Sequence, residues 1–565
     1  MSLRRTPLIL IPCIALILAL AMPAQGEEKV TRGVVATVHA IATDAAIDAY
    51  KRGGNAIDAA VAAAITLGVV DGHNSGIGGG CFMLIRLADG SVHALDGREM
   101  APAAATRDMF IRDGKADTSL SQTGPLASGV PGSVAVYAHA IEKHGKLKFA
   151  ELLLPAADIA EKGFPIDSRY AARLRASAKH LAQFDGSKQI LFKADGSPLR
   201  EGERLVQKYL ARTLRGIAER GPGYFYGGTF ARQVEAWMKS NDGILTREDF
   251  ANYQMKQRDP LVTEYRGYTV IGFPPPSSGG VHVAQILNII ENFDIAELHE
   301  KAPASRVHVI AEAMKLAFAD RAYWLGDPDF VPVPRNLIAR EYANELAKRI
   351  KLDRVIEVKS HSTPPAHDEE VFGKHTTHLT TADEEGNWVA LTATVNTGFG
   401  SKVIIPGTGV IMNNQMDDFS IDVGVPNAFG LIGNEANAVA PGKRPLSSMS
   451  PTIVLKDGKP ILTAGAAGGP RIITQVVLTI SNRLDLGQDL KPAMARARFH
   501  HQWSPDQLSI ENTIDKDVLK KLEQMGHKLN VQPPANATQA IAVDEQGNLE
   551  PQHDPRTKGK AASTF

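Results

Sequence analysis

Apolar positions recur at helical spacing over residues 44–71, an alanine-rich stretch interrupted by Gly53-Gly54-Asn55. In its second half Ile57, Ala60, Val61, Ala64 and Ile65 share one face. Residues 74–80 follow as a glycine-rich turn, and 81–87 with 91–95, split by Ala88-Asp89-Gly90, read as a β-hairpin. Helical patterns dominate 132–252. Pro274-Pro275-Pro276-Ser277-Ser278-Gly279-Gly280 is a loop that opens an apolar helix over 281–293. Residues 359–373 are polar, carry Asp368, Glu369 and Glu370, and have no apolar period, which predicts a mobile linker. Directly after it, 376–382 is β-branched, Asp383-Glu384-Glu385-Gly386-Asn387 is a turn, and 388–395 is a second strand. More strands are predicted at 410–412, 452–455 and 461–464, and helices at 471–484 and 516–525. Helices mixed with hairpins predict a layered α+β architecture.

The chain has 565 residues, with 62 Lys plus Arg against 62 Asp plus Glu, so no overall field draws it to nucleic acid or an anionic membrane. Its start reads as a secretory signal over 1–26. Arg4 and Arg5 precede an apolar stretch at 8–21, and Ala24-Gln25-Gly26 offers a small-x-small cleavage site. That stretch is short for a spanning helix, so the chain is expected to be exported, to a periplasm or the cell exterior, without a stable membrane anchor. Of its two cysteines, Cys13 lies in the signal, which leaves Cys81 without an internal disulfide partner. Asn536-Ala537-Thr538 matches a glycosylation acceptor, a short pattern that chance also produces.

The hairpin after the linker carries the chemistry. With its turn centred on Glu385 and Gly386, Thr376 falls opposite Val395, between Thr394 and Asn396. A threonine at the start of a strand, fed by a linker, can attack the carbonyl of the residue before it. The Thr376 hydroxyl would attack the His375 carbonyl, and water would resolve the resulting ester. The freed α-amine, with an ordinary pKa of roughly 8, then serves as base for the hydroxyl on the same residue. On pattern alone, a threonine-rich edge strand is the commoner reading.

Further motifs bear on that choice. Thr376-Thr377-His378 with Gly386-Asn387, Asn396-Thr397 and Phe399-Gly400 resembles the γ-glutamyltransferase family of N-terminal-nucleophile hydrolases. So do Asn74 to Gly80, Arg98-Glu99, Pro274 to Gly280, Asn413-Asn414-Gln415-Met416-Asp417-Asp418-Phe419, Arg444 to Pro451 and Gly468-Gly469, in order across 35–556. The resemblance implies a four-layer αββα sandwich. It implies a precursor cut between His375 and Thr376, giving a large subunit 27–375 and a small one 376–565 that share one core. Thr376 would be the nucleophile, Thr394 its hydrogen-bonding partner, and Gly468 and Gly469 the backbone N–H pair that holds the oxyanion.

For a γ-glutamyl donor, the resemblance assigns the α-carboxylate to Arg98, Ser447 and Ser448. It assigns the α-ammonium to Asp418, with Asn396 and Gln415 as carbonyl acceptors. Donors would be glutathione and other γ-glutamyl compounds; acceptors would be water, amino acids or dipeptides. Neither a metal nor an organic cofactor is expected. Where family members with a lid commonly carry tyrosine, this chain has Phe429, which keeps an aromatic cover and drops a phenol. A looser lid that admits water is the expectation.

Other features weigh less. His500-His501 beside Trp503 reads as structural, because adjacent side chains diverge and no further ligand completes a metal site. Residues 76–80 follow a helix and open a strand, the wrong order for a dinucleotide loop. Two rivals remain open at this point: a same-superfamily acylase acting on glutaryl side chains, and an exported, non-catalytic binder of γ-glutamyl compounds.

Overall fold

The computed structural model describes residues 31–365 and 378–565. The expected signal over 1–26, the later part of the expected linker, and both His375 and Thr376 lie outside the described residues. Two antiparallel sheets form the middle of the fold. The seven-stranded sheet runs in the order Lys560–Ser563, Gly33–Thr37, His378–Asp383, Trp388–Thr394, Gly80–Arg86, Val92–Gly97, Lys256–Arg258. The six-stranded sheet runs Leu549–His553, Ala537–Val543, Lys459–Ala467, Thr452–Lys456, Tyr268–Gly272, Leu261–Tyr265. Strands from before and after residue 376 interleave in the seven-stranded sheet and meet at one seam, Tyr268–Gly272 against Thr452–Lys456, in the six-stranded one, so neither half of the chain completes either sheet alone.

Side-chain alternation builds the four layers. Along Gly80–Arg86, Cys81, Met83 and Ile85 face a helical layer, while Phe82 and Leu84 face the other sheet. Along Trp388–Thr394, Val389, Leu391 and Ala393 face the helices, and Trp388 and Ala390 turn inward. Phe273, Met449, Ile453 and Ile541 from the second sheet's side meet them there. The second sheet turns Val454, Leu462, Ala464, Ala540 and Ala542 onto helices Ser278–Ile290, Pro303–Trp324 and Arg471–Leu484. The result is the αββα sandwich.

Helix Ala56–Val70 departs from the single apolar face read from sequence: nearly every residue of it is buried. It lies between the first sheet and helices Ala40–Lys51 and Phe149–Lys162, and alanine is small enough to be enclosed on all sides. Asn55 caps it, accepting from the Ile57 and Asp58 amides, while Asp58 accepts the Asn55 N–H at 2.8 Å.

Two expectations need correction. The hairpin pairs His378 with Thr392 and Ala382 with Trp388, one residue away from the predicted register. The cause is a three-residue loop, Glu384-Glu385-Gly386, closed by Asp383 opposite Asn387, with Gly386 at φ +96°. Residues 410–412 form only an isolated bridge, Ile404 to Ile411, and not a strand. Gly407 and Gly409, at φ +79° and +69°, turn the chain too sharply for a ladder to extend.

Candidate active site

The glycines of the turn after helix Ala56–Val70 permit close backbone approach. A Cβ at Gly79 would lie 1.8 Å from the Thr394 carbonyl oxygen, and one at Gly78 would lie 2.1 Å from that of Ile411. The end of strand Trp388–Thr394 is thereby pressed against Gly79. Thr394 Oγ1 accepts the Asn396 N–H at 2.7 Å, which leaves its own proton available. Asn396 sits at φ +79° and donates Nδ2 to the Asn414 carbonyl at 3.0 Å; its buried Oδ1 has no hydrogen-bond partner among the described residues.

Gly468 and Gly469 terminate strand Lys459–Ala467 and precede helix Arg471–Leu484. Their φ values, +133° and +59°, belong to glycine. Among the described residues neither amide donates to a partner, while both carbonyls accept from the helix's first turn. Two successive free N–H groups beside a helix N-terminus can stabilise developing negative charge. Phe429 covers this turn: a Cβ at Gly469 would lie 2.6 Å from its ring. The Phe429 loop is tied down on several sides. Asn427 Oδ1 accepts the Phe429 and Leu431 amides, Asp417 accepts the Ala428 N–H at 2.9 Å, and Gln502 donates to the Gly430 carbonyl at 3.1 Å.

Arg98 and Asp418 are not solvated surface charges. Both are buried, and Arg98 Nη2 donates to Asp418 Oδ2 at 2.5 Å. Arg98 also donates Nε to the Pro445 carbonyl at 3.0 Å, and its Nη1 lies 3.4 Å from Glu99. With its amide turned to satisfy its neighbours, Gln415 accepts from Arg98 Nη1 at 3.1 Å and donates to Glu99 at 3.2 Å. Among the described residues the buried hydroxyls of Ser447 and Ser448 have no hydrogen-bond partners. Their backbone is held by the Pro274–Gly280 loop, with Ser447 N–H donating to the Pro276 carbonyl and Ser278 N–H to that of Ser447, both at 3.1 Å. Buried hydroxyls and an amide oxygen left unpaired mark a place where a polar ligand would complete the bonding.

Burial sets the electrostatics. It pushes the Glu99 carboxyl up to about 8 against the pull of Arg98. It raises Asp418 as well, opposed by Arg98 and Arg321. Sequence reading assigned no role to three neighbours. Glu99 braces Arg98 and Gln415. Asp417, accepting from Ser121 at 2.7 Å and from Ala428, anchors the Phe429 loop. Arg321, on helix Pro303–Trp324, lines a small cavity with Asp418 and Asn427 and makes no hydrogen bond among the described residues. An arginine enclosed by alanine, leucine and phenylalanine in a helix was the one signal available for it.

Asp417 also gives a pH prediction. Burial lifts its carboxyl from 3.8 to about 6. Between those values the folded protein keeps a proton that the unfolded chain releases, so this group's contribution to stability falls as pH rises through the window and is level above it. Asp417→Asn removes that slope, since asparagine can accept from Ala428 and donate to Ser121. Thermal melts should show the variant gaining on the parent by about 3 kcal/mol at most from pH 4 to 7; a constant difference over that range would count against the buried charge.

His500 and His501 are engaged structurally: His500 bonds Thr474 at 3.1 Å and Gln502 at 3.0 Å, and His501 bonds Asp506 at 3.1 Å. Among the described residues, no helix is long and apolar enough to cross a membrane.

The site can be compared with known proteins. The gamma-glutamyltranspeptidase profile matches residues 42–564. The glutathione hydrolase proenzyme of Escherichia coli is 45% identical over 532 residues, covering 94% of this chain and 91% of that protein. The glutathione hydrolase proenzyme of a Pseudomonas species, strain A14, is 44% identical over 524 residues, covering 92% and 90%. The crystal structure of a cephalosporin acylase from Bacillus halodurans superposes with a TM-score of 0.83 at 30% identity, covering 94% of this chain and 96% of that one. With a profile spanning nearly the whole chain and relatives this similar along most of their length, the chain belongs to the gamma-glutamyltranspeptidase family.

Proposed function

We propose that this chain is a self-cleaving γ-glutamyltransferase and glutathione hydrolase with Thr376 as nucleophile. The observation that carries the reading is the set of buried, complementary groups around Thr394: a carboxylate binder, an ammonium binder, unpaired hydroxyls and two free amides. Thr394, the hydrogen-bonding partner expected for that nucleophile, ends strand Trp388–Thr394 two residues beyond Thr392, which pairs with His378. In maturation the Thr376 oxygen bonds to the His375 carbonyl carbon, and the peptide nitrogen leaves as the α-amine of Thr376. Water then splits the ester, separating 27–375 from 376–565.

In turnover the α-amine takes the Thr376 hydroxyl proton as the oxygen attacks the donor's γ-carbonyl. The Gly468 and Gly469 amides hold the oxyanion. The leaving amine, Cys-Gly from glutathione, departs with that proton. Water, an amino acid or a dipeptide then takes the γ-glutamyl group from the ester. Arg98, Ser447 and Ser448 grip the donor's carboxylate; Asp418 holds its ammonium, with Asn396 and Gln415 supplying further acceptors. Intact-mass analysis and N-terminal sequencing test the cleavage directly. Two fragments are expected, the smaller beginning at Thr376; a single unbroken chain that still turns over γ-glutamyl anilides would refute it.

The structural likeness to a cephalosporin acylase keeps a glutaryl-directed activity as the second reading. Asp418 speaks for the γ-glutamyl group, because a glutaryl group has no ammonium to bind. Matched anilides decide: at least about tenfold preference for γ-glutamyl over glutaryl is expected, the worth of roughly one charge-assisted hydrogen bond. Export to a periplasm or the exterior rests on the segment 1–26, and its removal is read from the mature large fragment's first residue. The cover supplied by Phe429 lacks a hydroxyl. Phe429→Tyr should raise the ratio of transfer to hydrolysis at fixed acceptor concentration, and an unchanged ratio would remove Phe429 from acceptor selection.

A further inference from the structure

Helix Pro303–Trp324 carries His308 and Glu312 four residues apart, on one face. Thirteen residues and roughly 20 Å of helix separate His308 from Arg321 at the donor site. Facing the pair is His527, from the turn between helix Lys516–Gln524 and strand Leu529–Gln532. All three side chains are buried, and one ligating atom from each lies within 4.8 Å of the others. His308 Nδ1 is 2.7 Å from His527 Nε2. His308 Nε2 lies 2.6 Å from the Lys351 carbonyl, which only accepts, so that nitrogen carries the proton and Nδ1 presents its lone pair to the cluster. Glu312 Oε2 accepts the Ile356 N–H at 2.8 Å, whereas Oε1 has no hydrogen-bond partner among the described residues.

We propose that His308 Nδ1, His527 Nε2 and Glu312 Oε1 form a zinc-type metal site. Two imidazoles and one carboxylate are the donors that a divalent, borderline-soft ion such as Zn²⁺ takes, and the Lys351 carbonyl is the outer partner that fixes a ligating histidine's tautomer. The ion takes the place of the proton between the two rings, and His527 adopts its other neutral tautomer, its proton moving from Nε2 to Nδ1 by exchange with solvent. At Zn–N bonds of about 2.0–2.1 Å, tetrahedral geometry sets the two nitrogens about 3.3 Å apart, so the rings part by roughly 0.6 Å. Opposing the metal is Lys315, whose ammonium lies 2.9 Å from Glu312 Oε1 outside hydrogen-bonding geometry. Lys315 already has a second anion, Asp506, at 3.2 Å, and shifts onto it when the carboxylate turns to the metal.

The ligands come from both sides of residue 376. If the chain is cut as proposed above, the ion staples the large fragment to the small one; metal binding itself does not depend on the cut. The test uses Zn²⁺ alone as probe, with elemental analysis after exhaustive dialysis. The cleaved parent and the uncut Thr376→Ala chain should each retain about one zinc and melt on the order of 2–5 °C higher than after chelation. The variant H308Q/H527Q keeps a donor and an acceptor for a side-chain hydrogen bond. It should fold, keep its γ-glutamyl activity and lose the retained zinc together with the shift. Parent protein that retains no zinc, or a folded double variant that retains as much as the parent, overturns the site and leaves a hydrogen-bonded histidine pair. A fragment pair that binds zinc but dissociates equally with and without it rejects only the staple.

Discussion

Thr376→Ala yields one uncut polypeptide that does not turn over γ-glutamyl anilides. Two separate losses follow from one missing oxygen. Maturation needs a hydroxyl next to the His375 carbonyl, and alanine has none, so denaturing gels should show a single band. Turnover needs the same oxygen as nucleophile; removing a nucleophile from an acyl-transfer site costs on the order of 10⁴-fold or more in kcat. Thr376→Ser separates the steps, because it keeps the oxygen and drops only the methyl that restricts χ1. Slow cleavage and reduced but measurable turnover are expected of it. A cut and active alanine variant would mean that a different group performs both reactions.

Arg98→Ala and Asp418→Ala should each lower kcat/KM for γ-glutamyl donors by about 10²–10³-fold, and the double variant should lose much less than the product of the two. In the structure these side chains neutralise each other in direct contact at 2.5 Å. Donor binding exchanges that contact for two new ones, carboxylate on Arg98 and ammonium on Asp418. Truncating one member therefore removes a substrate contact and strands the other charge in a buried place, a combined cost of about 2–5 kcal/mol. Loss of Arg98 hurts Asp418 further, since burial already raises its carboxyl and Arg98 is the largest influence opposing that rise. Once both are gone no charge is stranded, and the coupling appears as non-additivity. Steady-state kinetics on the two single variants and the double variant measure it. Strict additivity would mean that the two side chains act independently and that the contact between them has no part in binding.

Much of the fold is legible in the sequence where a pattern is local. Helix Arg471–Leu484 matches its predicted bounds, and strand Trp388–Thr394 falls one residue short of them. Both follow from runs of apolar side chains at a fixed period. The αββα layering and the site residues came from the resemblance of ordered motifs, and not from periodicity. The hairpin register and the missing strand at 410–412 turned on glycines at positive φ, whose conformation depends on the turn that closes around them.

What the sequence by itself determined is which residues are chemically able to act: a threonine after a polar linker, a paired glycine before a helix, an arginine, an aspartate and two serines. Only the tertiary structure decided how they stand. It buried Arg98 against Asp418, 320 positions away, left the serine hydroxyls without partners, and brought in Glu99, Asp417 and Arg321. The physical reason is range. Helical and strand periods are set by neighbours a few residues apart, whereas desolvation and charge pairing are set by whichever distant segments the two sheets bring together.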